Sequence, residues 1–136
     1  MEFICKNIIG SLIVGLAIIL LCTGCGENSK SPYKMSKDAE KIGADALEVV
    51  DKFLDHDYDY DKAYDKLKDL KNDLEIETDD DKMLQIEIIG CSSTMYTWHL
   101  NAARSVPLNE YQYKRDWEKI IESRNSLARM LGEEER

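Results

Sequence analysis

Apolar residues recur at helical spacing through most of the chain. Met35, Ala39, Ile42, Ala46, Val49 and Phe53 follow one another at intervals of 4-3-4-3-4, which lines one face of a 3.6-residue helix. Ser36 stands at its N-cap position. Tyr60, Ala63, Leu67, Leu70 and Leu74 form a second stripe. A third holds Leu84, Ile88, Cys91, Met95, Trp98 and Ala102. Thr78 and Asp81 predict a capping box for it, and the run Asp79-Asp80-Asp81 suits the positive end of a helix dipole. The fourth holds Tyr113, Trp117, Ile120, Leu127 and Leu131, with Arg124 inside the stripe. Pro107 or Asn109 opens it and Gly132 ends it.

Four such helices with short connections predict an all-α protein, an antiparallel four-helix bundle. Each helix would bury one stripe and expose a charged face. Residues 74–89 carry a competing signal. Leu-Glu-Ile-Glu-Thr and Leu-Gln-Ile-Glu-Ile alternate at period two around the aspartates, which is also the pattern of a β-hairpin. The helical reading is preferred because the 4-3 spacing continues unbroken to Ala102.

The N-terminal pattern is different. Asn7 to Gly26 is a run of 20 residues without a charge, centred on Ile8 to Leu21. Its length suits the apolar region of a secretory signal, with Lys6 and the α-amino group supplying positive charge ahead of it. A run of ~20 uncharged residues is also long enough to span a bilayer uncleaved, and cleavage by an ordinary signal peptidase would release the protein.

Thr23-Gly24-Cys25 closes the run. This end resembles the lipobox of bacterial lipoproteins, in which small residues precede an invariant cysteine. The position three before the cysteine is Cys22, where the family usually has Leu. The resemblance implies cleavage after Gly24, with Thr23 and Gly24 as the small residues of the cleavage site. It also implies a diacylglyceryl group on the Cys25 thiol and a location at the outer face of the cytoplasmic membrane. Two acyl chains anchor stably, each buried methylene contributing ~0.8 kcal/mol. Residues 1–24 are then the signal peptide, 25–34 a flexible polar tether containing Pro32, 35–132 the helical domain and 133–136 an acidic tail.

Composition narrows the partners. The net charge is −9, and the signal segment carries one Glu and one Lys, so its removal leaves that value unchanged. Such a chain disfavours nucleic acid. From Asp55 to Lys82 there are 12 acidic and 5 basic residues, so most of the imbalance lies in one segment. A basic protein partner would suit that segment.

Few residues offer chemistry. Asp55, Asp57, Asp59 and Asp61 alternate with His56, Tyr58 and Tyr60. They are the candidate cation site, but a calcium loop needs Gly at its sixth position and Glu at its twelfth. Tyr60 and Lys66 stand there counted from Asp55, and Lys62 and Lys68 counted from Asp57. An acidic turn that caps the second helix is the simpler reading. Asp57, Asp61, Asp65, Asp69 and Asp73 form one row on a helix, a solvated face or a docking surface. His56 and His99 lack metal-ligand spacing, no catalytic motif surrounds Ser92 or Ser93, and no cofactor is expected. His99, next to Trp98 near the core stripe, is expected to be a packed, hydrogen-bonded residue. With Cys5 and Cys22 removed and Cys25 acylated, Cys91 is a lone buried thiol.

Gly90 sits inside the third helix, where Gly costs ~1 kcal/mol relative to Ala. Close approach of a neighbouring helix would explain it. A shallow pocket lined by Cys91, Met95, Tyr96 and Trp98 is the alternative. Some of the many aromatics must be core, while Tyr58, Tyr64 and Tyr111 are expected to be partly exposed.

The stretch Ala46 to Leu54 followed by Asp61 to Leu67 resembles the helix–acidic turn–helix pattern of small helical lipoproteins of Gram-positive bacteria, a likeness that carries no activity with it. The function expected is a non-enzymatic, membrane-anchored interaction module. The alternative is a small-ligand or divalent-cation binder. The heptad-like spacing would also permit a helical dimer.

Overall fold

The computed structural model describes residues 30–104 and 109–136. Cys25, Thr23 and Gly24, and Pro107, lie outside the described residues. Four helices follow in order: α1 (Lys37–Leu54), α2 (Tyr60–Asp73), α3 (Asp79–Ala102) and α4 (Glu110–Leu131). No strand occurs among the described residues, and the helices pack as an all-α bundle.

Local chemistry sets the boundaries. The Ser36 side chain accepts the Ala39 N–H at 3.2 Å and starts α1. Asp59 accepts the Lys62 N–H at 2.9 Å and starts α2. Thr78 and Asp81 form the reciprocal capping box on α3, and Asn109 and Gln112 form another on α4. Each satisfies orphan N–H groups of a first turn. Gly132 ends α4 at φ 70°. A Cβ there would meet the Lys30 carbonyl at 1.9 Å, so only glycine fits.

Residues 74–78 settle the ambiguous segment. Leu74 leaves the helix and turns into the core, and α3 begins at Asp79. The period-two signal has a physical origin: α3 is apolar on two sides. Leu84, Ile88, Cys91 and Met95 are wholly buried, while Ile86 and Ile89 between them face solvent.

Each helix packs on the next, α4 closes on α1, and α1 also meets α3 across the diagonal. The diagonal contact depends on Gly43. A Cβ there would stand 2.7 Å from Leu131 and 3.1 Å from Leu84. The core is mostly aliphatic, with Val50, Leu67, Leu84, Ile88, Ile120 and Leu127 fully enclosed beside Cys91 and Met95. Removing any one such large side chain costs about 2–5 kcal/mol in a close-packed interior.

Both ends of the domain fold back on it. The Ser31 hydroxyl donates to the Met130 carbonyl at 2.7 Å, and the Lys34 N–H donates to Asp80 at 2.8 Å. Residues 30–34 therefore lie along the bundle at the end where α1 and α3 begin and α4 finishes. At residues 133–136, Arg124 donates to the Glu134 carbonyl at 2.5 Å, and the Arg136 guanidinium pairs with Asp51 and Asp55.

Candidate functional site

The buried polar groups are structural. Arg124, inside the α4 stripe, makes a bidentate pair with Asp51 of α1 at 2.8 and 3.0 Å. Asp116 is buried and accepts from Asn101 at 2.6 Å, tying α4 to α3. Cys91 is fully enclosed, and burial, with the Glu87 charge adding to it, pushes its thiol up to about 12. A thiol so placed is neither a nucleophile nor a ready metal ligand.

The four alternating aspartates do not converge. Asp55 is held by Arg136, Asp59 caps α2, and Asp57 and Asp61 face solvent. Among the described residues no three His, Cys, Asp or Glu side chains gather as metal ligands. The turn itself is built from backbone. The N–H groups of Asp57 and Tyr58 both donate to the Lys52 carbonyl, at 2.8 and 3.0 Å. His56 takes a left-handed conformation at φ 64°, uncommon outside glycine. Its ring lies against Trp117, with centroids 5.5 Å apart.

Aromatic residues collect at this end of the bundle. Phe53, Trp98 and Trp117 meet mutually at 5.5–5.7 Å. His99 stacks on Tyr60 at 3.9 Å with the rings nearly parallel, so it packs as its sequence context suggested, through a ring stack and not, among the described residues, through the hydrogen bond also expected. Burial, with Tyr64 nearby, pushes the Tyr60 phenol above its ordinary range. Tyr58 and Tyr64 are half-buried and Tyr111 is largely exposed. The ring of Tyr58 carries Lys62 over it at 3.9 Å, an ammonium-on-ring contact.

Two grooves flank α2. One, of about 310 Å³, runs between α1 and α2 and mixes Asp45, Glu48, Asp69 and Asp73 with Lys52 and Lys66. The other, of about 270 Å³, runs between α2 and α3. Lys68 and Lys71 line it with Tyr64, Tyr96, Ser92, Ser93 and Thr97, and no carboxylate joins them. This corrects the pocket expected from the sequence. Tyr96 does line a groove, but Cys91 and Met95 point the other way, into the core, and Trp98 belongs to the aromatic cluster.

The reason expected for Gly90 also fails within the monomer. A Cβ at Gly90 would meet nothing within 4 Å. No helix of this chain comes close to it.

Gly90 stands among exposed apolar side chains. Of nine large apolar side chains that stand largely exposed among the described residues, five belong to α3: Met83, Ile86, Ile89, Tyr96 and Leu100. They are 43–58% exposed. At 100° per residue, Ile86, Ile89, Gly90, Ser93, Thr97 and Leu100 fall within about 60° of Ser93, opposite the buried stripe. Isolated exposed apolar residues are ordinary, whereas several on one helix face are less so; the exposed Lys82 shares this face with them. Sequence periodicity missed the strip because the buried stripe alone accounts for a helix. The signal was present in the same alternation that suggested a hairpin.

No protein-family model, no curated protein and no solved structure matches this chain. No described helix is long and apolar enough to cross a membrane.

Proposed function

We propose that this chain is a lipid-anchored interaction module, non-enzymatic, held at the outer face of a bacterial cytoplasmic membrane by diacylglyceryl on Cys25. The observation that carries the interaction reading is the exposed apolar strip of α3, which a solitary soluble domain gains nothing by keeping. The anchor reading rests on the uncharged run ending in Thr23-Gly24-Cys25. The fold is consistent with the pair of readings. Residues 30–34 dock at the end of the bundle opposite the aromatic cluster, the end that a tether of residues 25–34 would reach.

Intact mass and membrane partition of wild type and Cys25→Ala in a bacterial host test the anchor. A mass of residues 25–136 plus diacylglyceryl, lost in Cys25→Ala, is the expected result. An unmodified full-length mass in both proteins overturns it. For the interaction, crosslinking in cells is expected to capture a single adduct with wild type and none with Ile86→Glu. Equal capture by both proteins removes the α3 face from the reading.

A second reading rests on the groove between α2 and α3. Two lysines without a carboxylate among the lining residues, two tyrosines and three hydroxyls fit a small anionic ligand bearing hydroxyl groups. Ser92 and Thr97 donate to the carbonyls of Ile88 and Ser93, which leaves their oxygens free to accept. A thermal shift with a phosphorylated sugar, absent in Lys68→Ala/Lys71→Ala, is the outcome that would establish it.

A further inference from the structure

Residues 133–136 return along α4 as a strap, and the contacts that hold them are those of a peptide in a groove. Gly132, in its left-handed conformation, reverses the chain. Arg136 then lies beside Asn125, 11 positions earlier. The Asn125 side chain accepts the Arg136 N–H at 2.8 Å and donates to the Arg136 main-chain oxygen at 3.2 Å. Arg124 donates to the Glu134 carbonyl at 2.5 Å. These bonds are made to main chain, which any extended segment carries. The side chain held most closely is that of Arg136, whose guanidinium reaches Asp51 at 3.4 Å and also pairs with Asp55. We propose that the α1–α4 seam is a docking site for an extended protein segment bearing an arginine, and that residues 133–136 fill it in cis as a displaceable strap.

Main-chain bonds give a peptide site its affinity and a side-chain pocket gives it specificity. Here the pocket selects arginine. Asp51 already accepts both bonds of the Arg124 pair, and Asp55 stands one turn further on, at the C-cap of α1. A planar guanidinium with several donors spans both carboxylates, whereas a lysine ammonium is a point charge. The strap itself is a poor occupant. Glu133, Glu134 and Glu135 are exposed. Lys30 pairs with Glu133 at 3.5 Å and Arg129 with Glu135 at 3.0 Å, both in water, where such pairs contribute little. Beside them runs a groove of about 600 Å³, lined by Ala44 and Leu47 together with Glu133 and Glu134. An apolar side chain in place of Glu134 would have Ala44 and Leu47 as neighbours.

Tethering sets how strong a competitor must be. A segment joined to α4 through Gly132 has an effective concentration on the order of mM. A segment in trans displaces it only by binding the empty site more tightly than that. An apolar residue at the position of Glu134 supplies the difference, because each methylene group buried improves binding about fourfold. The site uses neither Cys25 nor the α3 face, so it stands or falls apart from the readings above.

The test is fluorescence anisotropy of a labelled peptide of residues 132–136, titrated with the full chain in detergent. Arg136→Glu in the protein expels the strap from Asp51 and Asp55. That protein should bind the peptide at least about tenfold more tightly than wild type, whose strap competes from within the chain. Arg136→Ala, which removes the pairing without adding a charge, should give the same order. A peptide carrying Glu134→Leu should bind at least about threefold more tightly than the unaltered one. A peptide carrying Arg136→Ala should not bind measurably. Adding Asn125→Ala to the Arg136→Glu protein should weaken binding about fivefold, the effect of one net hydrogen bond, and adding Ile86→Glu should change nothing. No binding by an Arg136→Glu protein that keeps its helical circular dichroism overturns the site and leaves the strap a clamp on the fold. Equal binding by wild type and Arg136→Glu, or binding that survives Asn125→Ala undiminished, puts the peptide elsewhere and overturns it too. Loss of binding on adding Ile86→Glu assigns the peptide to the α3 face and does the same.

Discussion

The carboxylate of Asp81 accepts the backbone N–H of Ser36 at 2.9 Å, so the residue that caps α1 is tied to the residue that helps cap α3. The second oxygen of the same carboxylate accepts the N–H groups of Glu77 and Thr78 at 3.0 and 2.9 Å. Burial alone would raise the Asp81 carboxyl. The N–H groups of Ser36, Glu77 and Thr78, with the Thr78 hydroxyl, together hold it below the usual carboxylate range. Asp81→Ala would leave three backbone donors unsatisfied beside a fully buried site. The expected loss is about 2–4 kcal/mol in urea unfolding.

The same carboxylate predicts an acid limb. Its folded pKa lies below the unfolded value, so its contribution is present above the unfolded pKa, near 4, and is lost as pH falls through the folded one. Wild type should lose stability below about pH 4, and Asp81→Asn should start lower and fall less. Parallel pH curves for the two proteins would reject this assignment.

Cys91 predicts the opposite limb. Its thiol is raised from 9.0 to about 12 by burial. The stabilisation it represents is complete below the unfolded pKa and is lost as pH rises toward the folded one. Urea midpoints should therefore fall more between pH 9 and 11 for wild type than for Cys91→Ala. At neutral pH the thiol should resist iodoacetamide until the chain unfolds.

Arg124 and Asp51 form a pair across α4 and α1. Arg124 is 8% exposed, and a lone guanidinium there has little water to turn to. Asp51→Ala should cost about 2–3 kcal/mol, because it strands the charge. Arg124→Met with Asp51→Leu should cost less than either single change, since no buried charge is left behind. A double-mutant cycle by chemical denaturation measures the difference, and additive single effects would contradict the pairing.

Two helical glycines should respond with opposite signs. Gly90→Ala meets open space, so dilute protein should gain about 0.5–1 kcal/mol from helix propensity. Gly43→Ala places a Cβ 2.7 Å from Leu131, and the strain should outweigh that gain by about 1–2 kcal/mol. Thermal unfolding of both variants separates the two cases.

Much of the architecture was legible in the order of residues. The caps at Ser36, Asp59, Thr78 and Asn109 and the stop at Gly132 are local hydrogen bonds made within a few positions. The buried stripes of α1 to α4 follow from a period that the backbone imposes on any amphipathic helix. Other features needed the neighbours in place. Arg124 in an apolar stripe reads as a mismatch until Asp51, 73 positions earlier, supplies its counter-charge. Gly43 and Gly90 are alike as letters, yet only packing shows that Gly43 makes room for Leu84 and Leu131 while Gly90 makes room for nothing in its own chain. The two apolar sides of α3 look in sequence like a single alternating run. Which side is core is decided by where α1, α2 and α4 stand, because burial belongs to the assembled bundle and not to the helix. The order of residues alone thus determined that the described chain forms four capped amphipathic helices. The tertiary structure alone decided which apolar residues were left outside.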